Sequence, residues 1–242
     1  MAIGPVLGTR RAAKHPGSHG TRMLEFTNVS KSFWTGTRRK IILDRASFRV
    51  DLGTSVGILA PNGTGKTTLI KMMAGLEKPD EGEIHRGARI SFPLGFMGGV
   101  IVKHTARENC RFIARMYGMD PDYVEAYCRW LCGLEEYFDQ PLSIYSAGMK
   151  SRFTFSLLLA LDFDIYLIDE GMPRTMDAEF NRKAGEILAE RLSSTTIVIV
   201  SHQADTLEKY ASRAAVLSQG KLIMFDTLEE AKELYDYENN SA

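Results

Sequence analysis

The sequence predicts an α/β fold, and two patterns along the chain support this prediction. Short apolar or alternating runs of strand length recur from residue 23 to residue 225, and runs with helical spacing separate several of them. One predicted strand and the helix after it are joined by a glycine-rich loop, as is common where a sheet is covered by helices. The predicted strands are residues 23–29, 41–50, 54–60, 164–169, 195–200, 213–218 and 221–225.

Helical segments fill the middle of the chain. Residues 105–118 and 121–132 have helical spacing, and a third helix begins near Ser146. We therefore expect one domain, residues 23–242, in which a helical lobe of about residues 76–160 is inserted between the glycine-rich loop and the later strands. Residues 1–22 are rich in glycine, proline and basic side chains, so we expect a disordered leader or an extension upstream of a natural start at Met23.

Composition limits the classes of function. The formal net charge is +0, so the chain as a whole does not attract nucleic acid or anionic lipid. The three cysteines are too few for a disulfide framework and favour a reducing compartment. Every apolar run is shorter than the ~20 residues that span a bilayer. We expect a chain that is soluble, or peripheral to a membrane through another subunit.

The segment LAPNGTGKTTL, residues 59–69, has the spacing of a phosphate-binding loop. Backbone N–H groups of residues 62–67 and the helix N-terminus would surround phosphates, and Lys66 would reach the terminal ones. The Thr67 hydroxyl would bind Mg²⁺. The alternative is a glycine-rich turn without a ligand, and the strand before the loop and the helix after it favour the phosphate site.

Ala60 stands where the loop pattern has its first glycine. If this position requires a positive φ, alanine strains the loop by about 1 kcal/mol; if φ is negative, the substitution is nearly neutral. Every residue that contacts phosphate through a side chain is retained.

Two carboxylates end the apolar segment DIYLIDE, residues 164–170. Asp169 at the end of the strand can bind Mg²⁺ through water, and Glu170 can orient or deprotonate an attacking water. An exposed acidic turn is the alternative, which the phosphate loop upstream disfavours.

Two further segments contain candidate phosphate-binding groups. The strand in TTIVIVSHQ is followed by His202, which can hydrogen-bond a γ-phosphate or serve a structural role. In YSAGMKSR, residues 145–152, Ser146 is a natural N-cap, and Ala147 and Gly148 leave backbone N–H groups accessible to an anion. A head-to-tail dimer, in which this terminus covers the nucleotide of the partner, explains why one chain has two such termini.

Taken in order, these motifs resemble the nucleotide-binding domain of ATP-binding cassette (ABC) transporters, over Met23 to about Glu238. APNGTGKTT resembles the Walker A motif, YSAGM the family signature, IYLIDE Walker B with its catalytic glutamate, and SH at 201–202 the switch histidine. The resemblance implies a P-loop NTPase with a RecA-like core, an antiparallel β subdomain and an inserted helical lobe, which uses ATP and Mg²⁺. The implied catalytic residues are Glu170 and His202, and the implied metal-binding residues are Thr67 and Asp169. Phe33 would stack on adenine or simply pack against its neighbours. The implied nucleotide-binding residues are Phe33, Asn62, Gly63, Gly65, Lys66, Thr67, Thr68, Ser146, Gly148 and Asp177.

Three segments are more specifically similar to the ATPase subunits of bacterial capsular polysaccharide exporters: the signature form, SFPLGFMGG at 91–99 and DAEFNRKAGEIL. This similarity implies a homodimer at the cytoplasmic face of the inner membrane. It would act with integral membrane permease subunits that carry a lipid-linked polysaccharide, and without nucleic acid. The chain ends soon after a helix at 228–237, which favours the capsule type. Two alternatives remain: an O-antigen or teichoic acid exporter, and a nucleotide-dependent regulatory module that hydrolyses ATP poorly.

The chain departs from the family pattern in two places. Ile101 aligns with a glutamine that contacts Mg²⁺ and the membrane subunit, and the segment from Glu170 to Asp177 is one residue longer than the common form. The apolar residues around Phe92 to Val102 would be exposed and form part of a groove for the permease, or pack within the lobe. A DNA-repair ATPase of the same class is disfavoured, because such proteins carry a long coiled coil before the signature.

Overall fold

Two sheets form the larger of the two units into which the chain divides. The computed structural model describes residues 23–93, 99–169, 177–208 and 210–240. Of these, residues 23–93, 163–169 and 194–240, apart from residue 209, belong to the larger unit, and residues 99–162 and 177–193 form a helical unit.

The first sheet is formed by β3 (Val56–Leu59), β5 (Ile165–Asp169), β6 (Thr196–Ser201), β7 (Arg213–Ser218) and β8 (Lys221–Phe225). Their order across the sheet is β5-β6-β3-β7-β8. Four strands run parallel, and only β8 is antiparallel to its neighbour β7. The residues of β3 and β6 are all buried, as expected for parallel strands that are covered on both faces.

The second sheet has three antiparallel strands in the order β2-β1-β4. They are β1 (Met23–Thr35), β2 (Arg38–Asp51) and β4 (Glu81–Arg86), and β1 and β2 are joined at Gly36, which has a φ of 61°. Strand β4 corrects the sequence prediction, which assigned these residues to the helical lobe. Its sequence, EGEIHR, gives no strand signal because Ile84 is its only apolar side chain, and it is held as an edge strand by pairing with β1.

Among the described residues, three helices complete the larger unit: α1 (Lys66–Met73), α6 (Ala204–Glu208) and α7 (Leu228–Asn240). The apolar face of α1 is fully buried and belongs to the same core as residues of both sheets. Burial of such side chains stabilises the fold by roughly 1.5–3 kcal/mol each, which fixes α1 relative to the strands. Representative members of this core are Leu24, Phe26, Ile58, Leu69, Met73, Leu167 and Val198.

The helical unit contains α2 (Ala106–Met116), α3 (Pro121–Cys132), α4 (Ala147–Ala160) and α5 (Ala178–Leu192). The helices predicted at 105–118, at 121–132 and from Ser146 are therefore confirmed. Thr105 and Glu108 form a capping box at the start of α2, and Gly133 ends α3 with a φ of 60°. Helix α5 also belongs to this unit, since Phe180 packs edge-on against Phe155 of α4 with ring centroids 6.1 Å apart.

Within the residues that the structure describes, no helix combines the length and the apolar character needed to cross a bilayer.

Candidate active site

The glycine-rich loop connects β3 to α1, and its glycines are required by the backbone. Gly63 and Gly65 have φ values of 81° and 110°, in the left-handed region that favours glycine. A Cβ atom on Gly65 would also lie 2.5 Å from Cγ2 of Ile42 on β2. The loop is therefore shaped both by its own dihedral angles and by the strand packed against it.

Ala60 does not strain the loop. Its φ is not positive: among the described residues, the non-glycine residues with positive φ are Asn28, Arg45 and Gln219. The Ala60 N–H donates to the Ser201 carbonyl oxygen at 3.0 Å. The methyl group is fully buried. Replacement of the usual glycine by alanine at this position is therefore nearly neutral, as expected for a residue without positive φ.

The Lys66 ammonium is held by acceptors of the loop itself. Its Nζ atom donates to Asn62 Oδ1 at 2.7 Å and lies 3.4 Å from the Ala60 carbonyl oxygen. Lys66 is 8% exposed although it carries a charge. A largely buried cation in a glycine-rich loop at the start of a helix favours an anionic ligand at this position.

The first turn of α1 meets the end of β5. The Thr67 hydroxyl donates to Asp169 Oδ2 at 3.3 Å, and Thr68 follows in the same turn. A hydroxyl and a carboxylate are both hard oxygen donors, and Mg²⁺ is commonly bound by one or two such protein groups together with phosphates and water. The two residues predicted to bind the metal are thus brought together and fit this role.

His202 lies at the same edge of the sheet. Val200 of β6 pairs with Asp169 of β5, and Ser201 pairs with Leu59 of β3, so the loop, Asp169 and His202 all follow the carboxyl ends of adjacent parallel strands. The Tyr235 hydroxyl donates to the His202 carbonyl oxygen at 3.1 Å and fixes the backbone there. Glu170, the predicted catalytic base, lies outside the described residues.

The antiparallel sheet places Phe33 and Lys40 opposite each other. They are directly paired between β1 and β2, and both side chains are exposed. The Lys31 ammonium lies 5.0 Å from the Phe33 ring centroid. The exposed ring remains available for the predicted stacking on adenine. The sequence motifs gave no reason to consider Lys40, because it belongs to none of them and Gly63, which lies near its ammonium, is distant in the sequence.

The signature segment begins α4 in the helical unit. The Ser146 hydroxyl accepts from the Met149 N–H at 3.2 Å, as expected for an N-cap. Ser146, Ala147 and Gly148 are all exposed, and a Cβ atom on Gly148 would meet only Ser146 Oγ, at 3.9 Å. Within the described part of the chain, the first turn of this helix therefore has room beside Gly148.

Asp177 is engaged inside the helical unit. Its Oδ1 atom accepts from the Phe180 N–H at 2.9 Å, which caps α5, and its Oδ2 atom accepts from Arg152 Nη1 at 2.7 Å. Arg152 also donates through Nε to the Cys132 carbonyl oxygen at 2.9 Å. The sequence prediction of a nucleotide contact for Asp177 stays a prediction, and Arg152 is a residue that sequence reasoning missed.

Comparison with known proteins identifies the family. The family model described as "ABC transporter" matches residues 43–172. The chain is 37% identical over 88% of its length to ATP-binding protein BexA of Haemophilus influenzae, covering 98% of that protein. It is 38% identical over 88% of its length to capsule polysaccharide export ATP-binding protein CtrD of Neisseria meningitidis, covering 99% of that protein. This chain belongs to the ABC transporter family.

Solved structures agree with this assignment at the level of the fold. The dimeric bacterial ABC transporter cassette MJ0796 superimposes with a TM-score of 0.66 at 21% identity, over 83% of this chain and 96% of the other. An ATP-binding subunit of an ABC transporter gives a TM-score of 0.70 at 23% identity, over 88% and 93%. The predicted fold, an ABC-type P-loop ATPase domain, is confirmed.

The ABC cassette differs from the expected pattern around Ile101. The Ile101 N–H donates to Asn109 Oδ1 at 2.8 Å, and Asn109 Nδ2 donates to the Ile101 carbonyl oxygen at 3.1 Å, so the backbone is fixed while the apolar side chain is 38% exposed. Phe92 corrects the prediction of an exposed apolar run, because it is buried and packs edge-on against Phe163. Ile101 and Val102 are exposed as predicted, and residues 94–98 lie outside the described residues.

Proposed function

We propose that the chain is the ATP-hydrolysing subunit of an exporter of lipid-linked capsular polysaccharide. Membership of the ABC family and the groups gathered at the edge of the parallel sheet support ATP as the substrate. Two relatives support the cargo: CtrD, and polysialic acid transport ATP-binding protein KpsT of Escherichia coli, 34% identical over 83% of this chain and 90% of that protein. RfbB of Klebsiella pneumoniae, a relative named for O-antigen export, is less similar, at 29% identity over 82% of this chain, so O-antigen export is the second candidate.

In the proposed hydrolysis of ATP, each candidate residue of the larger unit has a separate role. Loop N–H groups and Lys66 bind the phosphates and orient the γ-phosphorus for attack. Thr67 and Asp169 would hold Mg²⁺, which when bound neutralises negative charge on the phosphates. Glu170 accepts a proton as the water oxygen bonds to the γ-phosphorus and the bond to the bridging oxygen breaks, which gives ADP and phosphate. His202 donates a hydrogen bond to the γ-phosphate, where charge must be stabilised.

The start of α4 completes the site in a dimer. We assign the exposed amides of Ala147 and Gly148, with the Ser146 hydroxyl, to the γ-phosphate bound by a second copy of the chain. A helix N-terminus carries a partial positive charge and free N–H groups, which is the chemistry that a terminal phosphate requires. The exposure of Ser146, Ala147 and Gly148, the space beside Gly148 and the dimeric structure of the MJ0796 cassette support this arrangement.

Integral membrane permease subunits would carry the polysaccharide, and the ATPase would bind to them peripherally at the cytoplasmic face of the inner membrane. Exposed apolar side chains of the helical unit, namely Ile101, Val102, Phe112 and Met116, offer a surface for such a partner. Closure of the ATPase dimer on ATP and its reopening after hydrolysis would drive export.

Phosphate release by the chain, purified with its membrane partner, tests the enzymatic proposal. Glu170→Gln removes the general base and should lower turnover by about 10²–10⁴-fold while ATP still binds. Wild-type turnover no higher than that of Glu170→Gln would instead support the poorly hydrolysing regulatory module.

The cargo requires a cellular test. In a strain lacking this gene, the wild-type gene should restore surface capsule, and Lys66→Ala should not. Restoration of lipopolysaccharide O-antigen without capsule would support the second candidate.

A further inference from the structure

We propose that Lys40 is a second phosphate-binding cation of the nucleotide site, contributed by the antiparallel sheet. The proposal rests on the proposed function, because it assumes that ATP occupies the loop between β3 and α1. It adds a residue outside the motifs predicted to bind ATP.

Lys40 lies directly against the phosphate loop. A Cβ atom built on Gly63 would stand 4.0 Å from the Lys40 Nζ atom, and among the described residues, apart from the chain neighbours of Gly63, no other group lies within 4 Å of that position. Gly63 belongs to the run of residues whose N–H groups are predicted to bind phosphate, and as a glycine it has no side chain between its backbone and Lys40. An anion in the loop would therefore lie within reach of the Lys40 ammonium, which is carried on a flexible four-carbon stem.

The packing of β2 fixes where Lys40 can reach. Ile42, two residues further along the strand, is 3% exposed and contacts the loop at Gly65. Lys40 is also paired with Phe33 on β1. The strand thus places Lys40 between the aromatic ring predicted to stack on adenine and the loop predicted to bind the phosphates. This is the span that a bound nucleotide would occupy.

The charge of Lys40 is not neutralised within the described part of the chain. No hydrogen bond or ion pair of its ammonium occurs among those residues, and its side chain is exposed. Lys31 on the adjacent strand provides the contrast: it is 7% exposed and pairs with Glu77 at 2.6 Å and Asp80 at 3.1 Å. The charge of Lys31 is balanced by ion pairs within its own unit, whereas Lys40 adds positive charge beside a loop predicted to bind anions.

Such a placement is unfavourable without a ligand and favourable with one. Like charges near one site repel, and a polyphosphate that binds between them removes the repulsion and gains charge-assisted hydrogen bonds. Because ATP carries more phosphate charge than ADP, Lys40 should favour ATP over ADP, and it should contribute little to the binding of adenosine.

Binding of ATP, ADP and adenosine to the purified chain, measured by calorimetry in Mg²⁺ buffer, tests the proposal. Lys40→Gln should raise the Kd for ATP by about tenfold, in line with the loss of one charge-assisted hydrogen bond, and should leave the Kd for adenosine within about twofold. Lys40→Arg should retain most of the affinity. The matched control is Arg39→Gln, which removes the same charge from the next residue of β2, whose Nε atom donates to Ser32 Oγ at 3.0 Å.

Several outcomes would overturn the proposal. Equal losses for Lys40→Gln and Arg39→Gln would indicate a general effect of charge, and an equal loss for adenosine would indicate an effect on stacking at Phe33. Lys66→Ala separates this proposal from the one on which it rests. If Lys66→Ala abolishes ATP binding and Lys40→Gln leaves it unchanged, only the role of Lys40 is wrong; if Lys66→Ala also leaves it unchanged, the ATP site itself is wrong.

Discussion

Gly65 and Ala60 lie in the same loop, but the backbone constrains them differently. The φ of 110° at Gly65 excludes a side chain for conformational reasons, and Ile42 excludes it by contact. Ala60 has neither restriction, and its methyl group is buried in the core. The loop pattern treats both positions as glycine, whereas the structure requires glycine only at the later one.

These two residues give a paired prediction. Gly65→Ala should abolish ATP binding and lower the free energy of unfolding by about 1–2 kcal/mol or more, because a Cβ is disfavoured at positive φ and meets Ile42. Ala60→Gly should leave the Kd for ATP unchanged and cost about 0.5–1 kcal/mol through backbone entropy. Calorimetry and urea denaturation measure both effects. A large gain in ATPase activity from Ala60→Gly would mean that alanine strains the loop.

The candidate site residues that the sequence could indicate are those that share a motif. Lys66, Thr67 and Asp169 were predicted because spacing along the chain reveals them, and the structure brings Thr67 to Asp169. Lys40 and Arg152 were not, since their importance comes from Gly63 and Asp177, each more than twenty residues away. Only the fold reveals such pairs.

At the scale of elements, apolar patterning decided what could be predicted. The predicted strands of the parallel sheet are all present because their apolar runs are long enough to be recognised, whereas β4 is charged and depends on β1 for its conformation. The sequence also gave no indication that α5 packs with the helical unit, since an amphipathic pattern shows which face is buried but not against which partner.

Arg152 joins three helices of that unit and should be sensitive even to a conservative change. Its guanidinium, with a side chain 21% exposed, bonds the Cys132 carbonyl at the end of α3 and Asp177 at the start of α5. Arg152→Lys keeps the charge but loses the fork geometry, and we expect a loss of about 1–3 kcal/mol in the free energy of unfolding.

The control for this change is Arg182→Lys, on the exposed face of α5, where the pair with Glu186 should be worth about 0.5 kcal/mol or less. Urea denaturation at pH 7 compares the two variants. Equal stability of Arg152→Lys and Arg182→Lys would show that the bonds of Arg152 contribute no more than a surface pair.

At the scale of the whole molecule, the dimer is the central expectation. Gly148→Ala should fold normally, because a Cβ there meets only Ser146 Oγ at 3.9 Å and alanine favours the helix. The added methyl group should nevertheless hinder the approach of the γ-phosphate of a second copy. We therefore expect ATP to produce a dimer of the Glu170→Gln variant, and a much smaller dimer fraction when Gly148→Ala is added.

Size-exclusion chromatography with light scattering measures this fraction, and the nucleotide-free Glu170→Gln variant gives the monomer reference. Dimers that form equally with and without Gly148→Ala at the same ATP concentration would argue against a role for the start of α4 in closing the site.

The carboxyl edge of the parallel sheet sets the dimensions of the site. The groups of β5, β6 and β3 stand on neighbouring strands, whose separation of about 4.8 Å comes from main-chain hydrogen bonds and not from side chains. Substitutions of side chains therefore change the surroundings of the site but leave the spacing between its strands nearly constant. The distance between the loop predicted to bind phosphate and Asp169, the carboxylate predicted to bind the metal, is therefore set by the sheet, and the same fold occurs in cassettes only 21–23% identical to this chain.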